Sequence, residues 1–297
     1  MKRVGLVGLG DMGMGLAKNI LKHGYELTGY DIRQDRVEQL SVLGGKPAAS
    51  VQEVAKNAEA VFVMVLSGQQ VKEVVLGVQG LLGGLRPGST VIVSATIHPS
   101  DVKALEAPLA AKGINVIDTP VSGGRAGAEN GTLTMMVAAK PPVFEDSKPL
   151  LEAVGQKIYH VGEEIGMGQT VKASLQAFMC ASYTSLFEAL VLGVKAGVKP
   201  EVLNEVFNAS FVGSPLTRNT IPLIMERKFK GTGSHIATMY KDISISMALG
   251  KETGAALFTA SAAYEVFHAG KSLFPNEDNW AIVKLFEQIA GTEVRKQ

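Results

Sequence analysis

The sequence predicts an α/β fold in which a doubly wound parallel sheet is followed by an all-helical C-terminal domain. In the first half, short β-branched runs alternate with amphipathic stretches, a rhythm typical of parallel strands joined by crossover helices. After about residue 160 helical patterns follow one another without a strand pattern between them. We therefore expect a first domain over residues 1–163 and a helical domain over residues 164–297.

Five apolar runs in the first half predict strands. They are Val4–Val7, Glu26–Tyr30, Ala60–Leu66, Thr90–Ser94 and Asn115–Asp118. These runs are nearly continuous in apolar residues, as expected when helices cover both faces of a sheet. The stretches between these runs predict helices at Met12–His23, Gln34–Leu43, Val51–Lys56, Gln69–Val75 and Pro99–Lys112.

The second half opens with a long helical pattern from Gly168 to Ala196, which contains no proline. A helix of that length could join the two domains and expose an apolar face to a partner subunit. Further helices are predicted at Pro200–Ala209, Thr217–Arg227, His235–Glu252, Ala255–Ala269 and Trp280–Ala290.

Composition excludes several classes of function. The chain is 46% hydrophobic with a net charge of +1, so no excess of charge favours nucleic acid or an anionic membrane as a partner. The single cysteine, Cys180, excludes an internal disulfide framework and a cysteine-rich metal site, and the five histidines are far apart in sequence. We find no signal peptide and no apolar run near the length of a membrane helix, and we expect a cytoplasmic protein.

A glycine motif lies at the first strand–helix junction. Residues 8–13 read GLGDMG, the G-x-G-x-x-G pattern, directly after a predicted strand and at the start of a helix. In that setting the first glycine allows the tight turn, the second lets a pyrophosphate approach the backbone, and the third lets helix and strand pack closely. The helix N-terminus favours the phosphates. We therefore expect a Rossmann dinucleotide site formed by Gly8, Gly10, Asp11, Met12 and Gly13.

Asp31 ends the second predicted strand, about 20 residues after the glycines, where an acid binds the adenosine ribose hydroxyls. A carboxylate there accepts hydrogen bonds from the 2′-hydroxyl and repels a 2′-phosphate, which favours NAD over NADP. Arg33 follows two residues later, and an arginine at this place could serve the 2′-phosphate of NADP.

Two further stretches carry chemistry. Residues 118–134 read DTPVSGGRAGAENGTLT, and residues 166–176 read GMGQTVKASLQ. Ser122, Gly123 and Gly124 can present a hydroxyl and successive backbone N–H groups to an anion. Lys172 stands near the start of the long helix among small and apolar residues. If buried it could act as acid and base near neutral pH, whereas an exposed lysine would be a surface residue.

These stretches, the glycine motif and the pair Lys241-Asp242 together resemble the β-hydroxyacid dehydrogenases, the group around 3-hydroxyisobutyrate dehydrogenase. The resemblance runs nearly from end to end. It implies reversible hydride transfer between NAD and a small hydroxy acid or its oxo product, without a metal, in a homodimer or homotetramer.

The resemblance also implies roles for individual residues. Ser122, Gly123 and Gly124 would hold the substrate carboxylate, Lys172 would be the general acid and base, and Gln176 would orient the substrate. Leu66, Thr96 and Lys241 would contact the cofactor. Most of the family has Asn where this chain has Gln176. The threonate dehydrogenase-like branch shares the Gln, which favours a polyhydroxylated acid.

Three other functions stay open at this point. Arg33 is compatible with an NADPH-dependent reductase of small aldehydes such as succinic semialdehyde or glyoxylate. An imine reductase on the same fold would usually lack Lys172, and an inactive NAD-binding module would be expected to have lost it.

Trp280, the only tryptophan, could line the substrate pocket or anchor the last helix.

Overall fold

The computed structural model describes residues 1–296, and these form two compact units. The first unit comprises Met1–Lys172 and the second begins at Ala173. The sequence analysis placed the domain boundary between residues 163 and 164. The helix α9, which comprises Met167–Lys195, begins after that position and passes through the boundary between the two units.

The first unit contains a nine-stranded sheet, and its parallel part has the predicted doubly wound order. The neighbours run β3-β2-β1-β4-β5-β6-β8-β7, with β9 beside β8. The strands are β1 Arg3–Val7, β2 Glu26–Tyr30, β3 Lys46–Pro47, β4 Ala60–Val63, β5 Thr90–Val93, β6 Asn115–Asp118, β7 Val121–Ser122, β8 Leu133–Ala138 and β9 Gly155–Gly162.

The five predicted strands are present, although β4 and β5 end earlier than expected. Strands β3, β7, β8 and β9 were not predicted. The sheet is also not wholly parallel, since β8 runs antiparallel to β6 and to β7. Residues 119–132 connect β6 to β8 and include β7, whose residues Val121 and Ser122 pair with Met135 and Thr134 of β8.

Eight helices cover this sheet. They are α1 Asp11–Lys22, α2 Gln34–Val42, α3 Val51–Asn57, α4 Gly68–Leu76, α5 Pro99–Lys103, α6 Glu106–Ala110, α7 Gly124–Asn130 and α8 Pro141–Glu152. The single helix predicted over 99–112 is divided into α5 and α6. Pro108 has no N–H to donate to the carbonyl of Ala104, which ends the regular helix at that point.

Hydrophobic cores lie on both faces of the sheet, which explains the continuous apolar strands. Successive residues of a strand point to opposite faces. In β4, Ala60 and Phe62 pack into one core, whereas Val61 and Val63 pack into the other.

The second unit is helical over residues 173–296, as predicted. It contains the rest of α9, followed by α10 Pro200–Ala209, α11 Pro215–Met225, α12 Ile236–Thr253, α13 Phe258–Leu273, a short 3-10 helix at Asn279–Ile282 and α14 Val283–Ala290. Cys180 is fully buried in the core of this unit.

The sequence expectation about membrane helices needs a correction. By length and composition, α9 is apolar enough to cross a membrane. Small residues, rather than a run of large apolar ones, make up much of this helix, so its apolar character is not obvious from the sequence. Core helices of water-soluble proteins meet the same criterion.

Candidate active site

The glycine motif surrounds the turn from β1 into α1, and its three glycines have different surroundings. Gly8 has a φ of +94°, and a Cβ there would lie 2.3 Å from the carbonyl oxygen of Met64. A Cβ on Gly13 would lie 1.9 Å from the carbonyl oxygen of Gly8. A Cβ on Gly10 would meet no atom of the described chain within 4 Å. The fold therefore requires Gly8 and Gly13, whereas Gly10 leaves an open surface that fits the approach of a phosphate.

Asp31 lies directly after β2 and is tied to the glycine turn. One carboxylate oxygen accepts a hydrogen bond from the backbone N–H of Leu9 at 2.6 Å, and the other accepts one from the backbone N–H of Arg33 at 2.8 Å. The Arg33 guanidinium forms an ion pair with Asp35 at 2.6 Å. That hydrogen bond holds the pKa of the Asp35 carboxyl below its usual value.

The predicted cofactor residues of the first unit follow four neighbouring parallel strands. Gly8 follows β1, Asp31 follows β2, Leu66 follows β4 and Thr96 follows β5. Since the carboxyl ends of parallel strands share one edge of a sheet, these residues lie along the edge at which such folds bind dinucleotides. Leu66 is 68% exposed, and its backbone N–H donates to the side chain of Gln70.

The segment Ser122-Gly123-Gly124 leads from β7 into α7. Gly123 and Gly124 both have positive φ angles, +132° and +60°, which side chains rarely adopt. Both glycines are exposed, and Ser122 is partly buried. The geometry thus places a hydroxyl beside exposed backbone, the arrangement that the sequence predicted for an anion.

The sequence left open whether Lys172 is a buried acid and base or an exposed surface residue, and the structure shows it buried. It lies in the second turn of α9, and only 6% of its surface is exposed. A snorkelling surface lysine is therefore excluded for this position.

A buried amide lies three residues before Lys172 and is hydrogen-bonded to a buried acid from β6, and neither residue was given a role from the sequence. Asp118 ends β6 and is fully buried, and Gln169 in α9 is 1% exposed. Burial raises the pKa of the Asp118 carboxyl to about 6, and hydrogen bonds from Gln169, Gly166 and Gly168 oppose this rise. Both residues stand inside the two quoted motifs, so their position there was the available signal.

In the second unit, Gln176 is joined to the Lys-Asp pair. Gln176 is 4% exposed, and its side-chain N–H donates to one oxygen of Asp242. The other oxygen of Asp242 lies 2.8 Å from the ammonium of Lys241. A carboxylate only accepts hydrogen bonds, so the amide nitrogen of Gln176 must face Asp242. The amide oxygen of Gln176 has no hydrogen-bond partner among residues 1–296.

Trp280 was expected either to line the substrate pocket or to anchor the last helix, and its contacts agree with the anchor. It is 5% exposed in the core of the second unit, and its indole N–H donates to the carbonyl oxygen of Lys228. Within the part of the chain that the structure describes, no three His, Cys, Asp or Glu side chains are grouped as metal ligands would be.

Comparison with known proteins gives two family matches that together span nearly the whole chain. Residues 3–162 match the NAD binding domain of 6-phosphogluconate dehydrogenase. Residues 166–286 match a family described as the NAD-binding of NADP-dependent 3-hydroxyisobutyrate dehydrogenase.

Similar proteins carry related names. The chain is 34% identical to a 2-(hydroxymethyl)glutarate dehydrogenase of Eubacterium barkeri, covering 98% of this chain and 97% of the relative. It is 30% identical to an L-threonate dehydrogenase of Cupriavidus necator, covering 97% of each chain. A crystal structure of 3-hydroxyisobutyrate dehydrogenase from Salmonella typhimurium superimposes with a TM-score of 0.87 at 30% identity, covering 96% of this chain and 100% of that one.

The Rossmann-type first unit, the helical second unit and the two family matches agree with the resemblance seen in the sequence. The relatives are named as dehydrogenases of hydroxy acids and match this chain over almost its full length. The chain belongs to the β-hydroxyacid dehydrogenase family, the group of 3-hydroxyisobutyrate dehydrogenase-like NAD(P)-dependent oxidoreductases that act on the CH–OH group of hydroxy acids.

Proposed function

We propose that this protein catalyses reversible hydride transfer between NAD and a small hydroxy acid, with Lys172 as the general acid and base. The observation that carries the proposal is the burial of Lys172 in the second turn of α9. The bound nicotinamide supplies the hydride chemistry at its C4 atom. The chain supplies binding, orientation and the proton.

During oxidation, the Lys172 amine accepts the proton of the substrate hydroxyl, and during reduction the ammonium returns it. An ammonium held at this point also stabilises negative charge on the reacting oxygen. Ser122 and the backbone N–H groups of Gly123 and Gly124 hold the carboxylate of the substrate. Fixing the carboxylate and the hydroxyl at two points orients the carbon from which hydride leaves.

Gln176 gives the proposal a substrate class. Asp242 fixes the amide so that the oxygen is left as a buried acceptor without a partner among the described residues. An unpaired buried acceptor costs about 1–3 kcal/mol, and a substrate hydroxyl would remove that cost. We therefore infer an acid with a second hydroxyl, as threonate has, over an acid with a methyl group at that point.

NAD is the proposed cofactor. The Asp31 carboxylate lies where the adenosine ribose binds, and a 2′-phosphate there would meet a negative charge. Arg33, the residue that could serve NADP, is engaged with Asp35. The Asp31 position therefore supports NAD, and the pairing of Arg33 argues against an NADPH-dependent aldehyde reductase.

A homo-oligomer in the cytoplasm completes the proposal. Phe178 is 74% exposed and Leu192 is 72% exposed on α9. They are 14 residues apart, which places them on one side of a helix. A second copy covering them would bury apolar area, each large side chain contributing about 1.5–3 kcal/mol. Light scattering should give a dimer or tetramer, and Phe178→Ser with Leu192→Ser should give a monomer; an unchanged mass would exclude this surface.

The activity is tested by following reduced nicotinamide with NAD or NADP and a panel of acids. The panel contains 3-hydroxyisobutyrate, 3-hydroxypropionate, 4-hydroxybutyrate, serine, glycerate, threonate and 2-(hydroxymethyl)glutarate. We expect the highest kcat/KM with NAD and threonate or glycerate. Lys172→Met keeps the aliphatic chain and removes the amine, so it should lower kcat by about 100-fold or more. Full activity of Lys172→Met would exclude the proposed mechanism.

A further inference from the structure

Three segments of the first unit meet at one pair of buried side chains. The segments are the end of β6, the loop after β5 that contains Thr96, and the first turn of α9. The pair is Asp118 and Gln169, which are 0% and 1% exposed. Every hydrogen bond described below lies within the first unit.

Asp118 holds the beginning of α9. One carboxylate oxygen accepts hydrogen bonds from the backbone N–H groups of Gly166 and Gln169, at 3.0 and 3.1 Å. The first N–H groups of a helix have no partner within the helix, so a carboxylate at this point fixes where the helix starts. A Cβ on Gly168 would lie 3.0 Å from the same oxygen, so the backbone approaches the acid closely.

Gln169 joins that acid to the loop after β5. Its side-chain nitrogen donates to the second oxygen of Asp118 at 2.9 Å and to the carbonyl oxygen of Ala95 at 3.0 Å. Its side-chain oxygen accepts a hydrogen bond from the backbone N–H of Ile97 at 3.0 Å. The amide thus uses both ends, and the two residues that it binds in the loop flank Thr96.

We propose that Asp118 and Gln169 act as one brace that positions Lys172, and with it the Thr96 loop, for hydride transfer. Lys172 follows Gln169 by three residues on α9, so the two lie one helical turn apart. A change in the start or rotation of that turn moves the Lys172 amine directly. Misplacement by about 1 Å can cost about 100-fold in rate. Asp118 and Gln169 are thus positioning residues.

The bonding pattern makes the brace sensitive to small changes. The four N–H groups that bond the Asp118 carboxylate, from Gly166, Gly168 and the backbone and side chain of Gln169, are all donors. The Gln169 amide cannot turn over because Ala95 offers an acceptor and Ile97 a donor. In Asp118→Asn, the new amide nitrogen must face a donor whichever way it points. Gln169→Met keeps the length of the side chain and loses all three side-chain hydrogen bonds. Both changes leave the Lys172 side chain itself intact.

This inference rests on the proposed function, because it acts through Lys172, and the test separates the two. Purified Gln169→Met, Asp118→Asn and the double variant are compared with the unchanged protein for kcat, both KM values and the isotope effect with substrate deuterated at the carbinol carbon. Leu151→Ala serves as the control, since Leu151 is fully buried in the same unit but is outside the brace. Assays are run well below each thermal midpoint.

We expect kcat to fall by about 10–100-fold in each brace variant, with both KM values changed less than about threefold and an isotope effect that rises. The double variant should be no worse than the poorer single variant, because both break one unit. Leu151→Ala should lose stability and keep kcat. Adding Gln169→Met to Lys172→Met should lower the residual rate no further.

Two results would overturn the brace. One is an unchanged kcat in Gln169→Met and Asp118→Asn. The other is a loss of kcat that Leu151→Ala reproduces at equal stability, since that would show a general effect of weakened packing. If Gln169→Met does not fold, Asp118→Asn alone decides by the same criteria. Full activity of Lys172→Met would instead remove the proposed function, whatever the brace variants show.

Discussion

Asp31 accepts a hydrogen bond from the backbone N–H of Leu9 at 2.6 Å, so the acid after β2 is fixed to the glycine turn after β1. Because the carboxylate is held there by backbone groups, its position does not depend on the cofactor. The preference for NAD or NADP then depends on the charge at Asp31. It can be tested by removing that charge or by freeing Arg33 from its ion pair with Asp35.

Asp31→Asn should reduce the preference for NAD. The amide keeps the size of the side chain but loses the charge and one acceptor. A hydrogen bond to a charged group contributes about 1.5–3 kcal/mol, so the KM for NAD should rise by about 10–100-fold while NADP gains. Asp35→Asn is the matched change: it frees Arg33 from its ion pair and should improve NADP alone. Steady-state kinetics with both cofactors measure this, and an unaltered NAD to NADP ratio in Asp31→Asn would count against the assignment.

Gly10→Ala and Gly13→Ala should separate binding from folding. A Cβ at residue 10 meets no described atom within 4 Å, whereas at residue 13 it lies 1.9 Å from a backbone oxygen. Gly10→Ala should therefore lower the free energy of unfolding by no more than about 1 kcal/mol and raise the KM for NAD at least about tenfold. Gly13→Ala should lower stability by about 3 kcal/mol or more.

Denaturant unfolding measures the stability of both variants, and NAD titration measures their affinity for the cofactor. Unchanged NAD affinity in Gly10→Ala would mean that the open surface at Gly10 is not where the pyrophosphate binds. Normal stability in Gly13→Ala would mean that the turn can relax around a methyl group.

The fold class was predicted correctly from the sequence, and the candidate site residues could be named there, because the signals for both are local. The GLGDMG motif and the acid at Asp31 stand at strand ends that periodicity locates well. The antiparallel β8 was missed, since pairing direction depends on where a chain returns and not on its local pattern. The brace was missed for the same reason: Asp118 and Gln169 are 51 residues apart, and only the fold brings a carboxylate against the first turn of α9.

Asp242→Asn should weaken substrate binding more than NAD binding. Asp242 fixes the amide of Gln176, and an asparagine in its place would allow that amide to turn over. The buried acceptor would then become a donor for part of the time, so the KM for the acid should rise by about 10-fold, the equivalent of about 1.4 kcal/mol. The KM for NAD should change less than the KM for the acid, because the asparagine oxygen can still accept a hydrogen bond from the Lys241 ammonium.

Gln176→Asn is the companion to that variant, because it shortens the side chain by one methylene and keeps the amide. It should change the ratios of kcat/KM among the acids of the panel. The acids that relatives with Asn at this position prefer should lose least. Steady-state kinetics with each acid give the KM and kcat of both variants. A KM for the acid that is unchanged in both would separate Gln176 from substrate recognition.

The buried Asp118 should give the protein a stability that falls as the pH rises from about 4 to about 7. Its pKa is raised from 3.8 to about 6, because burial disfavours the charged carboxylate. The folded state therefore binds a proton more tightly than the unfolded chain does. Linkage then makes the contribution of Asp118 to stability complete below about pH 4, and that contribution is lost as the pH passes through about 6. The difference amounts to no more than about 3 kcal/mol.

Asp118→Asn removes this titration, so the free energies of unfolding of the two proteins, measured in urea, should diverge across this pH range. The unchanged protein should lose stability relative to the variant as the pH rises. Other acids of the chain titrate in both proteins and cancel in the difference. Parallel curves would show that Asp118 titrates alike in the folded and unfolded states, and a gap that opens in the opposite sense would place the carboxyl pKa below its ordinary value. At neutral pH the ionised acid is retained despite this cost, because only the carboxylate accepts all the hydrogen bonds that fix the first turn of α9.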